Sequence, residues 1–210
     1  MRIRPVGAHA LLLDFIDHGA EVAATVEAWR SELWHRRDRG DLVATEIVPA
    51  AATVLLDGVP DPVATAGQIA RWPPVLPAHP AATGADLLEV PVSYDGEDLP
   101  RVAEHWRTDV PGVLRRLRQT EFRVAFCGFA PGFGYLTGLP AELAVPRLAT
   151  PRPRVPAGSV ALAGPYAGIY PTASPGGWLL VGRTGLTLFD VRADPPARLV
   201  PGTRVRLVPA

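Results

Sequence analysis

Two short strings hold most of the groups able to do chemistry. "TPRPRVPAGSV", residues 150 to 160, sets Arg152 and Arg154 on one side of an extended, proline-stiffened segment and follows them with Gly158 and Ser159. Guanidinium forks grip carboxylate or phosphate, and backbone N–H groups at such a turn can point at an anion. The string reads either as an anion cradle or as a solvated strand face with fixed turns. "SPGGWLLVGRT", residues 174 to 184, offers the Ser174 hydroxyl, close backbone approach at Gly176 and Gly177, and the Arg183 fork. Its plainer reading is a hairpin. Upstream, "GFAPGFGYL" supplies Phe129, Phe133 and Tyr135, either a flat wall for a ring-shaped ligand or ordinary aromatic packing.

What is missing narrows the chemistry further. No histidine follows His105, and between Glu121 and Asp190 the only acid is Glu142, so a self-contained acid–base or zinc site is not expected in this half. The lone thiol, Cys127, ends an apolar run and reads as a small buried hydrophobe. All 21 basic residues are arginine, which removes Schiff-base chemistry and a P-loop lysine.

Composition sets outer bounds. The formal net charge is zero and the arginines form no long tract, so nucleic acid is not an expected partner. No apolar run reaches the roughly 18–20 residues needed to cross a bilayer, and the short N-terminal run meets Asp14 instead of a cleavage site. A single cysteine fits a reducing compartment, and a cytoplasmic location is expected.

The elements that must position these residues fall into two groups. "HALLLDF", "LVATEIVPA" and "TVLLDGV" read as strands, and Val22, Val26, Trp29 and Leu33 mark one face of a helix between the first two. Asp61 followed by Pro62 signals the start of a second helix, giving the order β-α-β-β-α of a split βαβ layer. "PPVLPAHPAATGA", residues 73 to 85, has no periodicity and reads as a linker. Beyond it come a strand in "LLEVPVSY", two short helices with Asp109 capping the second, and a strand in "FRVAFCGF". From Cys127 to Trp178 there are nine prolines and nine glycines, a density that leaves short strands and fixed turns as the ordered solution. The runs "SVALAG", "GIYP", "WLLVG", "LTLF" and "RVRLV" are strand-length, and a closed or nearly closed small barrel is expected.

In this order, "GFAPGFGYLTGLP", "ATPRPRVPAGSVALAG" and "GIYPTASPGGWLLVGRTGLTLFD" resemble the signature of the allophanate hydrolase subunit 1 family, also described as the B subunit of 5-oxoprolinase, which includes a sporulation histidine-kinase inhibitor. The resemblance spans about residues 87 to 208 and implies an α+β N-terminal domain, residues 1–80, followed by a mainly-β cyclophilin-like barrel domain, residues 86–210. It also implies a large partner of the kind known as allophanate hydrolase subunit 2 or the C subunit of 5-oxoprolinase, and a third lactam-hydrolase protein that assists ring opening. The activity implied is ATP-dependent opening of 5-oxoproline to glutamate, with ATP, with or without Mg, bound in this chain or its partner and no intrinsic metal site. A carboxyltransferase subunit of the urea-carboxylase type and a histidine-kinase inhibitor are the alternatives. Carried onto this sequence, the resemblance makes Gly132, Phe133 and Tyr135 a pocket wall. Arg152, Arg154, Gly158 and Ser159 become anion or substrate contacts, and Tyr170, Ser174, Gly176 and Gly177 a second lip. The chain departs from the family at Gly134, commonly Pro, and at Arg118, commonly His. The first departure reads as a loosened turn; the second puts any catalytic use of that histidine in doubt.

Overall fold

A computed structural model describes residues 1–76 and 87–210, so most of the expected linker at residues 73–85 lies outside the described residues. The chain divides into two compact units, Met1–Thr83 and Gly84–Ala210.

The first unit runs β1 (Arg2–Val6), β2 (Ala10–Asp14), α1 (Val22–Asp38), β3 (Glu46–Pro49), β4 (Thr53–Asp57) and α2 (Pro62–Ile69). A strand precedes the one expected in "HALLLDF", because Gly7, at φ 61°, reverses the chain and makes β1 and β2 a hairpin. The sheet order is β1-β2-β4-β3 with antiparallel neighbours, so β4 sits between β2 and β3, the strands that α1 connects. Alternation on β2 sends Leu11 and Leu13 inward, where Val26, Trp29 and Leu33 of α1 meet them. Asp61 caps α2 by accepting from the Ala64 N–H at 2.9 Å.

The second unit continues with β5 (Leu87–Val92), α3 (Leu99–His105), α4 (Val110–Gln119), β6 (Glu121–Cys127), β7 (Gly134–Thr137) and β8 (Arg152–Val155), then β9 (Ser159–Ala163), β10 (Tyr166–Ile169), β11 (Ser174–Gly176), β12 (Leu179–Arg183) and β13 (Arg204–Pro209). Seven strands form one sheet in the order β12-β9-β10-β7-β6-β13-β5. Ser93, just past β5, and Arg183 exchange both backbone hydrogen bonds at 2.9 Å, joining the sheet's two edges and nearly closing the barrel. A bridge of this kind shortens the free edges that would otherwise invite aggregation. Val102 of α3 and Val113 and Leu117 of α4 are buried in the same cluster as the barrel interior. The α4 N-terminus is capped as expected, Asp109 accepting from the Gly112 N–H at 2.8 Å.

One expected strand does not form. "LTLF" buries Leu188, but it contributes only an isolated bridge from Phe189 to Ala197, since the Leu188 carbonyl accepts from Arg198 and extends no ladder.

Candidate functional site

The two strings form a flap. β8 and β11 pair with each other as a separate two-stranded sheet, Ser174 opposite Val155. β9 is buried on both faces: Val160 and Leu162 join the barrel interior, while Ala161 and Ala163 join a second cluster with Phe133, Val155, Tyr170, Trp178 and Leu180. That second cluster contains the flap's Val155, so the flap covers an apolar, aromatic platform on the outside of the barrel.

Phe133 is the platform's centre and is 1% exposed. It meets Phe129, Tyr135, Tyr170 and Trp178 at centroid distances of 5.2, 5.0, 5.5 and 5.5 Å, all edge-to-face. Each such contact adds roughly 0.5–1.5 kcal/mol beyond area burial, so four of them fix the ring as a packed anchor. The flat wall expected of Phe129, Phe133 and Tyr135 is therefore not formed: interplanar angles of 67–86° around Phe133 present edges, and Tyr135 stacks on Phe126 at 4.3 Å. Phe129 is 60% exposed and holds φ 70°, a left-handed backbone that a bulky residue rarely adopts. Gly132, next to Phe133, lies against Phe189 and Leu188.

Polar groups lie within this apolar layer. Directly opposed residues of an antiparallel pair share a face, so Ser174 points the way buried Val155 does. Its Oγ is buried and has no hydrogen-bond partner among the described residues. The Tyr170 side chain is also buried, which pushes its phenol above the usual value, while Arg147 and then Arg152 oppose that rise through their charge. At neutral pH the Tyr170 hydroxyl is therefore a donor and not a base. Gly176 faces that hydroxyl: a Cβ there would lie closer than 3.0 Å to Tyr170 Oη. Gly176→Ala is expected to cost about 1–3 kcal/mol by overpacking, and adding Tyr170→Phe should recover part of the loss. Urea denaturation of the four proteins in that cycle measures the coupling; strictly additive effects would show that the two positions do not touch.

The expected anion cradle is built differently. Arg152 is occupied: Nε pairs with Glu97 at 2.7 Å, Nη2 with Asp98 at 2.8 Å, and Nη1 donates to the Trp178 carbonyl at 3.3 Å. Asp98, 7% exposed, also accepts from the Leu180 N–H at 2.7 Å. This hub fastens the flap to the start of α3 and to β12, leaving no open fork at Arg152. The Gly158 N–H donates to the Tyr170 carbonyl at 2.7 Å and the Ser159 N–H to Pro156 at 3.3 Å, so both donors are consumed by the fold. Arg154 is exposed, with no ion pair among the described residues. Arg183 belongs to the barrel seam and pairs with Asp95 at 2.8 Å, and the Gly177 carbonyl accepts from Leu148 at 2.7 Å.

The sequence reading missed Arg147, Trp178 and the Glu97–Asp98 pair. Arg147 sits in the proline-rich "VPRLATP" with no motif around it, and Asp98 has the look of a helix cap although it caps nothing by its side chain. The two positions that depart from the family pattern have different settings. Gly134 begins β7 opposite Cys127, a strand position and not a turn, with Leu199 and Val124 against it. Arg118 lays its guanidinium 5.1 Å from the centre of the Tyr94 ring. Cys127 donates its thiol to the Leu199 carbonyl at 3.2 Å, and burial raises its pKa, the setting of a structural cysteine. Among the described residues no group of three or more His, Cys, Asp or Glu is placed to hold a metal ion, and no helix is long and apolar enough to cross a membrane.

Residues 1–199 match the family described as carboxyltransferase domain, subdomain C and D. The B subunit of 5-oxoprolinase from Escherichia coli O157:H7 is 49% identical over 126 residues, which are 59% of this chain and 58% of that protein. The crystal structure of TTHA0988 superposes with a TM-score of 0.76 at 32% identity, covering 100% of this chain and 40% of that one. Urea carboxylase of Kluyveromyces lactis shares the fold, with a TM-score of 0.73 at 19% identity over 99% of this chain and 21% of its own. The chain thus spans well under two thirds of each of these relatives.

Proposed function

The chain belongs to the carboxyltransferase domain family, subdomains C and D, and from that premise we propose that it is the smaller subunit of an ATP-dependent amidohydrolase, most specifically a 5-oxoprolinase, that opens 5-oxo-L-proline to L-glutamate. The resemblance to the B subunit of 5-oxoprolinase at 49% identity supports the reaction class. The observation that carries the site is the Ser174 hydroxyl on the inner side of the flap, buried and without a hydrogen-bond partner among the described residues. An unsatisfied hydroxyl in a packed layer costs about 1–3 kcal/mol, a penalty that a polar ligand reaching under the flap would remove.

In this reading residues 1–80 and 86–210 act as two domains, the second cyclophilin-like. The flap and platform bind the lactam. Ser174 and Tyr170 offer hydroxyls to its carbonyl, Arg147 and exposed Arg154 attract its carboxylate, and Gly132, Tyr135 and Gly177 shape the rim. From Trp106 onward the chain has no imidazole, so proton transfer falls to a larger partner subunit that closes the site. ATP, as co-substrate, binds there or at the junction, and a third protein assists ring opening in the cytoplasm.

The test is glutamate formation from 5-oxoproline and ATP by the chain alone, with its large partner, and with Ser174→Ala in the assembly. Activity is expected only in the assembly, with Ser174→Ala raising KM about tenfold, the equivalent of one lost hydrogen bond to a polar ligand. Full activity of the isolated chain would defeat the shared site, and an inert assembly would defeat the substrate. The family description favours carboxyl transfer as a second reading; dependence on bicarbonate and a biotin-carrying partner in place of 5-oxoproline would select it.

A further inference from the structure

The second unit carries a polar cavity that shares no residue with the flap site. It has a volume of about 140 Å³ and opens against one face of α4, where Gly112, Arg115, Arg116 and Gln119 recur at helical spacing. Trp106, Thr108 and Leu143 form the opposing wall. That wall is held in place: the Trp106 indole N–H donates to the Leu143 carbonyl at 2.8 Å, and His105 Nε2 lies 2.9 Å from the Ala144 carbonyl oxygen.

Charge and size together select a ligand. Arg115 and Arg116 are exposed and have no ion pair among the described residues, and no Asp or Glu lines the cavity. Arg152, Arg204 and Arg118, by contrast, are committed, to Glu97 and Asp98, to Glu121 and to the Tyr94 ring, and no second exposed pair of arginines shares a cavity wall with Arg115 and Arg116 in this lining. Two uncompensated guanidiniums beside a hydroxyl and an amide make a concave, donor-rich, positive surface, which suits an anion with several acceptor oxygens. A space of 140 Å³ falls below the roughly 300–1,000 Å³ that holds a nucleotide-sized ligand. We propose that this cavity binds a compact oxyanion, either inorganic phosphate or a small dicarboxylate, whose charge Arg115 and Arg116 share.

Calorimetric titration of the full chain with inorganic phosphate and, separately, with glutarate tests this at low ionic strength. Saturable one-site binding of at least one anion is expected, weakened about tenfold or more in the Arg115→Ala/Arg116→Ala double variant. Arg101→Ala, an exposed arginine that does not line the cavity, should stay within about twofold of the parent, as a solvent-screened charge outside the site does. The tighter of the two anions identifies the source. No saturable binding of either, no effect of the double variant, or an equal effect of Arg101→Ala would overturn the assignment. The flap variant Ser174→Ala should leave this binding unchanged, which separates the two sites.

Discussion

Asp98→Ala should lower the stability of the second unit by about 3–5 kcal/mol, the range seen when one partner of a buried ion pair is removed. The carboxylate is 7% exposed and serves two donors at once, the Leu180 N–H at 2.7 Å and Arg152 Nη2 at 2.8 Å. Removing it strands a backbone N–H inside the molecule and takes the buried counter-charge from a guanidinium whose side chain is only 20% exposed. Glu97 remains on Nε, but its own side chain is 64% exposed and screened, so it offsets little. Asp98→Asn keeps an acceptor for Leu180 and loses the charge, and should cost about half as much. Urea titrations of both variants measure this. A loss below about 1 kcal/mol for the alanine variant would mean that the hub is not what fastens the flap, since surface-like pairs fall in that range.

Gly158→Ala should be at least as damaging, on the order of 3 kcal/mol or more. Two independent penalties meet there. The backbone sits at φ 79°, where an L side chain costs about 1–2 kcal/mol. A Cβ would also stand closer than 3.0 Å to the Thr184 carbonyl oxygen, a backbone atom that no rotamer change can move aside. Gly164 separates the two contributions: it too has a left-handed φ, 53°, but nothing lies within 4 Å of its virtual Cβ. Gly164→Ala should therefore show the backbone penalty alone, and the difference between the variants isolates the clash. Because the Gly158 N–H holds the Tyr170 carbonyl and its own carbonyl accepts from Thr184, the substitution should also loosen Tyr170 and with it the flap site. Near-ultraviolet circular dichroism, which reports the packing of that aromatic cluster, would register the change; equal stability of the two alanine variants would refute it.

What could be read in advance was local. The caps at Asp61 and Asp109 are visible because a cap needs only a side chain and an N–H three residues on. The buried face of α1 is visible because Val26, Trp29 and Leu33 recur at helical spacing. The barrel strands showed as short apolar runs, and mostly formed where expected. The failures are non-local. Arg152 looked like a free fork because its partners, Glu97 and Asp98, lie more than fifty positions upstream. The Gly158 N–H looked available because nothing nearby in sequence reveals that Tyr170 accepts from it. Phe133 looked like a wall because composition marks an aromatic cluster but not the angle at which its rings meet.

The pairing of β13 with β5 governs how the second unit is assembled in time. Arg204 lies beside Leu87, 117 positions earlier in the chain, in a parallel ladder six residues long. Bringing such distant segments together costs on the order of 4 kcal/mol in chain entropy before any contact repays it, so this step belongs late in folding and sets a millisecond-to-second pace. Until it happens, β6 lacks the neighbour that β13 provides, and its apolar Phe122 and Val124 stay open to other chains. Yield on refolding should therefore fall with protein concentration more steeply than native stability alone would suggest.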